Sequence, residues 1–154
     1  MALTLPDVVP AQYSGTARDF LQGPGTRDGI ARLVTGTVSV PSGTAATDIV
    51  GLIPVNKGAR FKLDDKSVYC GNFGGGSTTV SLGFVYYDSD EGTSDPDAFA
   101  SASAAPQSGG FVTVDENEGL TFEAAGDGWL ALTVNTAAAD ATADVEYSVL
   151  VAYA

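Results

Sequence analysis

The chain is predicted to fold as an all-β domain, a jelly-roll-like β-sandwich with an extended N-terminal arm, on three observations. From residue 31 onward, short runs alternate apolar residues with small or polar ones, the period of a pleated strand with one buried face. Those runs are rich in Val, Thr, Tyr and Phe, and Gly, Pro, Asn and Asp separate them before a helix of ordinary length can form. Their number, and the long segment 88–110, suit a jelly roll better than an immunoglobulin-like sandwich, which would want a Cys pair around its tryptophan. Here Cys70 is the only cysteine and Trp129 the only tryptophan. A chain of 154 residues buries roughly two thirds of its unfolded surface as one domain, so no second domain is needed.

Residues 1–30 are assigned to the arm and residues 31–154 to the sandwich. Pro6, Pro10 and Pro24, with Gly15, Gly23, Gly25 and Gly29, break the first segment into stretches too short for a core strand. Residues 16–22 suit one helical turn capped by Ser14 or Thr16 and stopped at Gly23-Pro24-Gly25, with Tyr13, Phe20 and Leu21 as the residues that would grip a neighbour.

The first strand is expected over 33–40, ended by Pro41-Ser42-Gly43, and the next two over 48–55 and 59–63, before the Asp64-Asp65-Lys66 turn. Val68-Tyr69-Cys70 is a short strand, Gly74-Gly75-Gly76 a turn, and 78–87 a central strand by its β-branched and aromatic content. Segment 88–110, acidic and then rich in Ala and Ser, is assigned to a loop in which residues 95–100 make one helical turn. Runs at 111–114, 120–123, 128–134 and 143–153 complete the strands.

Seven basic residues stand against nineteen acidic ones, and a net charge of -12 repels phosphate backbones and anionic membrane surfaces. Neither nucleic acid nor membrane is an expected partner. The first ten residues lack the basic and apolar regions of an export signal, and no apolar run approaches membrane-spanning length. Cys70 admits no intrachain disulfide and suits a small buried apolar position.

With no histidine in the chain, Ser-His-Asp and Cys-His catalysis and His-ligated zinc are excluded. Lys57, Lys62 and Lys66 have no nucleophilic serine motif beside them, and the carboxylates Asp64, Asp65, Asp115, Glu116 and Glu118 sit in turn-forming sequence, the ordinary place for solvated acids. Gly23-Pro24-Gly25 and residues 51–57 miss the spacing of phosphate-binding loops. No cofactor and no enzymatic activity are expected.

Two features need weighing on sequence. Asp88, Asp90, Asp95 and Asp97 would supply hard oxygen ligands for Ca²⁺, but Gly92 stands at the fifth position where a calcium-binding EF-hand loop wants an oxygen ligand and no flanking helices are expected, so a solvated acidic loop is the preferred reading and no metal is expected. Tyr69, Phe84, Tyr86, Tyr87, Phe111, Phe122 and Trp129 all fall in strands, where core packing competes with a sugar-stacking platform. Tyr86 and Tyr87, being consecutive, must point to opposite faces, so one of them lies outside the core.

Three runs resemble small virion proteins of tailed phages: Gln12-Tyr13-Ser14-Gly15-Thr16-Ala17-Arg18-Asp19-Phe20-Leu21-Gln22-Gly23-Pro24-Gly25, Thr35-Gly36-Thr37-Val38-Ser39-Val40-Pro41 and Gly51-Leu52-Ile53-Pro54-Val55-Asn56-Lys57-Gly58-Ala59-Arg60. Tyr86-Tyr87-Asp88, Asp95-Pro96-Asp97-Ala98-Phe99-Ala100 and Gly126-Asp127-Gly128-Trp129-Leu130 extend the likeness. The resemblance implies a protein that decorates or cements a capsid. It would be made in the host cytoplasm, carried on the capsid surface as a homo-oligomer, a trimer by preference, and partnered by the major capsid protein without catalysis or cofactor. A neck or fibre component, or a β-sandwich carbohydrate-binding module, is the competing expectation.

Overall fold

Alternation in the sequence becomes alternation of burial: in the strand Ala31–Val40 the core receives Val38 and Val40 while Leu33, Thr35 and Thr37 face outward. The computed structural model describes residues 31–114 and 122–152, together with the backbone of Leu3–Thr4. In chain order the strands are β1 (Leu3–Thr4), β2 (Ala31–Val40), β3 (Ile49–Val55), β4 (Arg60–Lys62), β5 (Val68–Cys70), β6 (Thr79–Tyr86), β7 (Asp95–Ser103), β8 (Gly110–Phe111), β9 (Gly128–Asn135) and β10 (Ala143–Ala152). A 3-10 turn, Ala105–Gln107, precedes β8.

Two sheets result. One has the order β1-β3-β9-β6-β7, the other β2-β10-β5-β8 with β4 also paired to β10. β4 and β5 both run antiparallel to β10, opposite its C-terminal end and its middle, so they are two halves of one strand. The turn between them is held by Asp64 Oδ1, which accepts from Lys66 N at 2.8 Å, and by Ser67 Oγ, which accepts from Asp64 N at 2.8 Å. With β4 and β5 counted together, and β1 set aside, eight strands lie in the spatial orders first-eighth-third-sixth and second-seventh-fourth-fifth. That is the double Greek key of a jelly roll, as expected.

The core between the sheets is a layer of Val, Leu and Phe. Val50, Ile53 and Val55 of β3, Val80, Leu82 and Phe84 of β6, and Leu130, Leu132 and Val134 of β9 meet Val68 and Cys70 of β5 and Val145, Val149 and Val151 of β10. Phe84 is at the middle of an aromatic group, with ring centroids 5.0 Å from Phe122, 4.8 Å from Tyr86 and 5.9 Å from Phe61. Each such side chain, fully buried, contributes roughly 1.5–3 kcal/mol.

The β9 sheet also buries its outer face near β3: Ile49, Trp129 and Ala131 form a second apolar group with Val85 against it, and Trp129 lies over Gly51. Tyr86 points into the core and Tyr87 to this outer face, where its ring meets Trp129 at 6.2 Å. The opposite orientation expected of the two tyrosines is thus found. Trp129 Nε1 and Thr133 Oγ1 are buried there and have no hydrogen-bond partner among the described residues.

The structure corrects the sequence reading of segment 88–110. Residues 95–103 form β7 in place of a loop with a helical turn, and a helical turn comes later, at Ala105–Gln107. Asp, Pro, Ala and Ser are poor strand formers, but at a sheet edge pairing with β6 overrides propensity, and Pro96 needs no partner on its free side. β7 follows β6 through two register shifts, and Gly83 makes room, since a Cβ there would lie 2.2 Å from Asp95 O. The run at 111–114 is a strand only over Gly110–Phe111, and of the run at 120–123 the described part is a bridge between Glu123 and Arg60. Leu3–Thr4, expected within an unpaired arm, lies parallel to Ile49 and Val50 of β3. Tyr13, Phe20 and Leu21 lie outside the described residues.

Candidate functional surface

The outward side chains of the β10 sheet fall into rows set by register. Thr37, Glu146, Tyr69 and Phe111 make one row across β2, β10, β5 and β8. Thr35 and Ser148 make the next, and Leu33, Leu150 and Lys62 the one after it. Four large apolar residues stand exposed on this single face: Leu33 at 65%, Phe111 at 49%, Leu150 at 37% and Tyr69 at 36%. They form two pairs, Leu33 with Leu150 and Tyr69 with Phe111, separated by the polar Thr35–Ser148 row, and their gathering on one face, unlike single scattered exposure, calls for an explanation.

Between these rows and the Asp64 turn runs an open groove of about 540 Å³, lined by Thr35, Thr37, Lys66, Ser67, Tyr69, Phe111, Glu146 and Ser148, with Gly36 and Tyr147 at its floor. Gly36 is required there, since a Cβ would fall 2.3 Å from the Tyr147 hydroxyl. Tyr69 and Phe111 pack edge to face, centroids 5.2 Å apart at 75°. The sequence placed both in strands without separating exposed rings from buried ones. The signal was available in Val68-Tyr69-Cys70, where an aromatic alternates out of phase with two apolar residues that are fully buried.

The four aspartates of the acidic segment are not brought to one point. Asp88 Oδ1 accepts from Asp90 N at 3.0 Å, a local turn bond. Glu91 Oε2 accepts from Asp127 N at 2.7 Å and Ser94 Oγ accepts from Tyr86 N at 3.0 Å, so the segment is tied down to the start of β9 and the end of β6. Asp95 and Asp97 belong to β7. Among the described residues no three His, Cys, Asp or Glu side chains converge as metal ligands.

Cys70 is buried and unpaired, and desolvation pushes its thiol up from 9.0 to about 12, which keeps it protonated and unreactive. Of the lysines, Lys57 uses its backbone N–H to bond Asp127 Oδ1 at 2.9 Å, and Lys62 and Lys66 flank the face just described. No helix among the described residues is long and apolar enough to cross a membrane.

The strand order defines the class, an antiparallel jelly-roll sandwich edged by one short parallel strand. No protein-family model matches the chain, and no curated protein matches it. Among solved structures, the fold is similar to a chain of the capsid of Ralstonia phage GP4, with a TM-score of 0.60 at 18% sequence identity over 99% of both chains. A chain of the cyanophage Pam1 capsid asymmetric unit gives a TM-score of 0.49 at 21% identity, covering 94% of this chain and 99% of that one.

Proposed function

We propose that this chain is a structural protein of a tailed-phage virion that decorates or cements the capsid through protein–protein contacts. The observation that carries this reading is the end-to-end correspondence of its fold with a chain of a phage capsid, 99% of each chain at a TM-score of 0.60. The Leu33 and Leu150 pair, exposed on adjacent strands of the β10 sheet, supplies an apolar contact of the kind a lattice neighbour would cover. Within residues 1–30, the stretch after Leu3–Thr4, which pairs with β3 of its own chain, acts as an arm over a neighbouring subunit, with Tyr13, Phe20 and Leu21 as anchors. The major capsid protein is the partner, and the assembled form is a homo-oligomer, a trimer. Ordering such arms on assembly costs conformational entropy once per chain, which the many repeated contacts of a shell offset through multivalency.

The test is cosedimentation of the purified full-length protein with capsids made without it, together with light scattering for its mass in solution. Saturable binding and a trimeric mass are expected. Replacing Tyr13, Phe20 and Leu21 together by alanine should leave the circular-dichroism spectrum unchanged and weaken capsid binding at least tenfold. Absence of cosedimentation by the unaltered protein would remove the capsid reading, and a monomeric mass would remove the trimer.

A further inference from the structure

We propose that the groove on the outer face of the β10 sheet is a saccharide-binding site, in which Tyr69 and Phe111 stack on a sugar ring while Thr35, Thr37, Glu146 and Ser148 hydrogen-bond its hydroxyls. The inference goes beyond the capsid role and does not depend on it. It starts from the lining. In a chain of net charge -12, the groove holds one cation, Lys66, and one anion, Glu146, and is otherwise hydroxyl and aromatic. Its volume of about 540 Å³ lies within the range of small-ligand sites, roughly 300–1,000 Å³.

Three classes of occupant are separated by what each would do to these groups. A polyanion meets one lysine and one carboxylate, too little positive charge to hold phosphates. An apolar peptide segment or a second β-sheet face would cover the Tyr69 and Phe111 rings, but it would also strip water from the hydroxyls of Thr35, Thr37 and Ser148 and from the Glu146 carboxylate. Those side chains make no hydrogen bond among the described residues, and burying them unpaired would forfeit their hydration with nothing in exchange. A sugar answers both demands at once. Its hydroxyls pair with the row of hydroxyls and the carboxylate, and its C–H face covers a ring.

The geometry is set before any ligand arrives. Register places Thr37, Glu146, Tyr69 and Phe111 side by side on four paired strands, and the two rings, both partly exposed, brace each other edge to face beside the hydroxyl row. Tyr147 closes the floor over Gly36, so the floor of the site rests on backbone and core, with only Lys66 and Ser67 supplied by the Asp64 turn.

The experiment uses the full-length protein on an array of short neutral oligosaccharides built of hexose, N-acetylhexosamine and deoxyhexose units, with calorimetric titration of those retained. Binding of at least one class is expected. Tyr69→Ala and Phe111→Ala should each lower its affinity about tenfold, Glu146→Gln several-fold, and Leu33→Ala should leave it unchanged. Circular dichroism and melting temperature report that each variant is folded, and because Phe111 and Glu146 are exposed their substitution spares the core. No retained saccharide, or retention indifferent to Phe111→Ala and Glu146→Gln, would overturn the site. So would loss of oligomeric mass or of capsid cosedimentation in Phe111→Ala, since the groove would then be occupied by protein. A glycan-binding protein that never associates with capsids would leave this inference standing and defeat only the capsid role.

Discussion

Replacing Phe84 by alanine removes the ring on which the core converges, and the size of the loss follows from its surroundings. Phe84 is fully buried, and β6 is paired on both sides, with β9 and with β7, so the backbone has little freedom to collapse into the space left behind. Phe-to-Ala changes at such sites cost about 3–5 kcal/mol. The ring also contacts Phe122, Tyr86 and Phe61, and an aromatic pair adds roughly 0.5–1.5 kcal/mol beyond area. Because Phe122 and Tyr86 are only partly buried and can move into part of the gap, the expected total is about 4 kcal/mol. That is a large share of the roughly 5–15 kcal/mol that holds a domain together. Urea denaturation followed by the fluorescence of Trp129, the sole tryptophan, is the assay; at a slope of about 2 kcal/mol/M the midpoint should fall by about 2 M. Phe84→Leu, which fills most of the volume, should cost less than about 1.5 kcal/mol. A loss under about 1.5 kcal/mol for Phe84→Ala, or equal losses for the two variants, would refute the reasoning that this ring is the keystone of the sandwich.

Burial of Cys70 sets a pH dependence: the folded thiol, pushed up to about 12, keeps its proton while the unfolded thiol releases it near 9.0, so stability is full below pH 9 and declines as pH rises toward 12. Urea midpoints should show a slope of roughly one kcal/mol per pH unit in that window that Cys70→Ala lacks, and identical slopes would contradict the assignment. Gly83→Ala should destabilise by about 1–3 kcal/mol, because the added carbon falls 2.2 Å from Asp95 O and 2.3 Å from the Pro96 carbonyl carbon, both backbone; an unchanged melting temperature would be inconsistent with β7 crossing so close. Calcium titrated into the protein should release no binding heat and leave the melting temperature where it was, since Asp88, Asp90, Asp95 and Asp97 do not converge; a rise in melting temperature would restore the site.

What the sequence disclosed and what it withheld divide along a physical line. Where one face of a strand is buried and the other wet, period-two alternation is imposed on the residues themselves, and β2 and β10 were legible for that reason, whereas β6 and β9, buried on both faces, were legible as apolar runs of strand length bounded by turn residues. β7 was not, because Asp95, Pro96 and the alanines and serines after it owe their extended form to hydrogen bonds from β6, a partner no local window contains. The union of β4 and β5 into one strand was hidden by the Asp64 turn, and only their common pairing with β10 reveals it. The groove lay further from view. Its residues come from β2, β5, β8, β10 and the Asp64 turn, and the rows Thr37–Glu146–Tyr69–Phe111 and Thr35–Ser148 exist only after four strands have found their register.

The position of β10 governs when the molecule can come into being during synthesis. It is the last described strand, yet it lies between β2 and β5 and lends hydrogen bonds to β4 as well. The contact from Ser42 N to Thr142 Oγ1 spans 100 residues of chain. A nascent polypeptide therefore holds one half of its structure without a centre until nearly the whole strand series has left the ribosome. At roughly 5–20 residues per second, that delay lasts several seconds. Closure is then expected to be concerted and slow, as for other chains dominated by distant pairings. A fragment ending before residue 143 lacks the strand that joins β2 to β5 and β4, so truncated products should fail to present the β10 face and be cleared as unfolded chains.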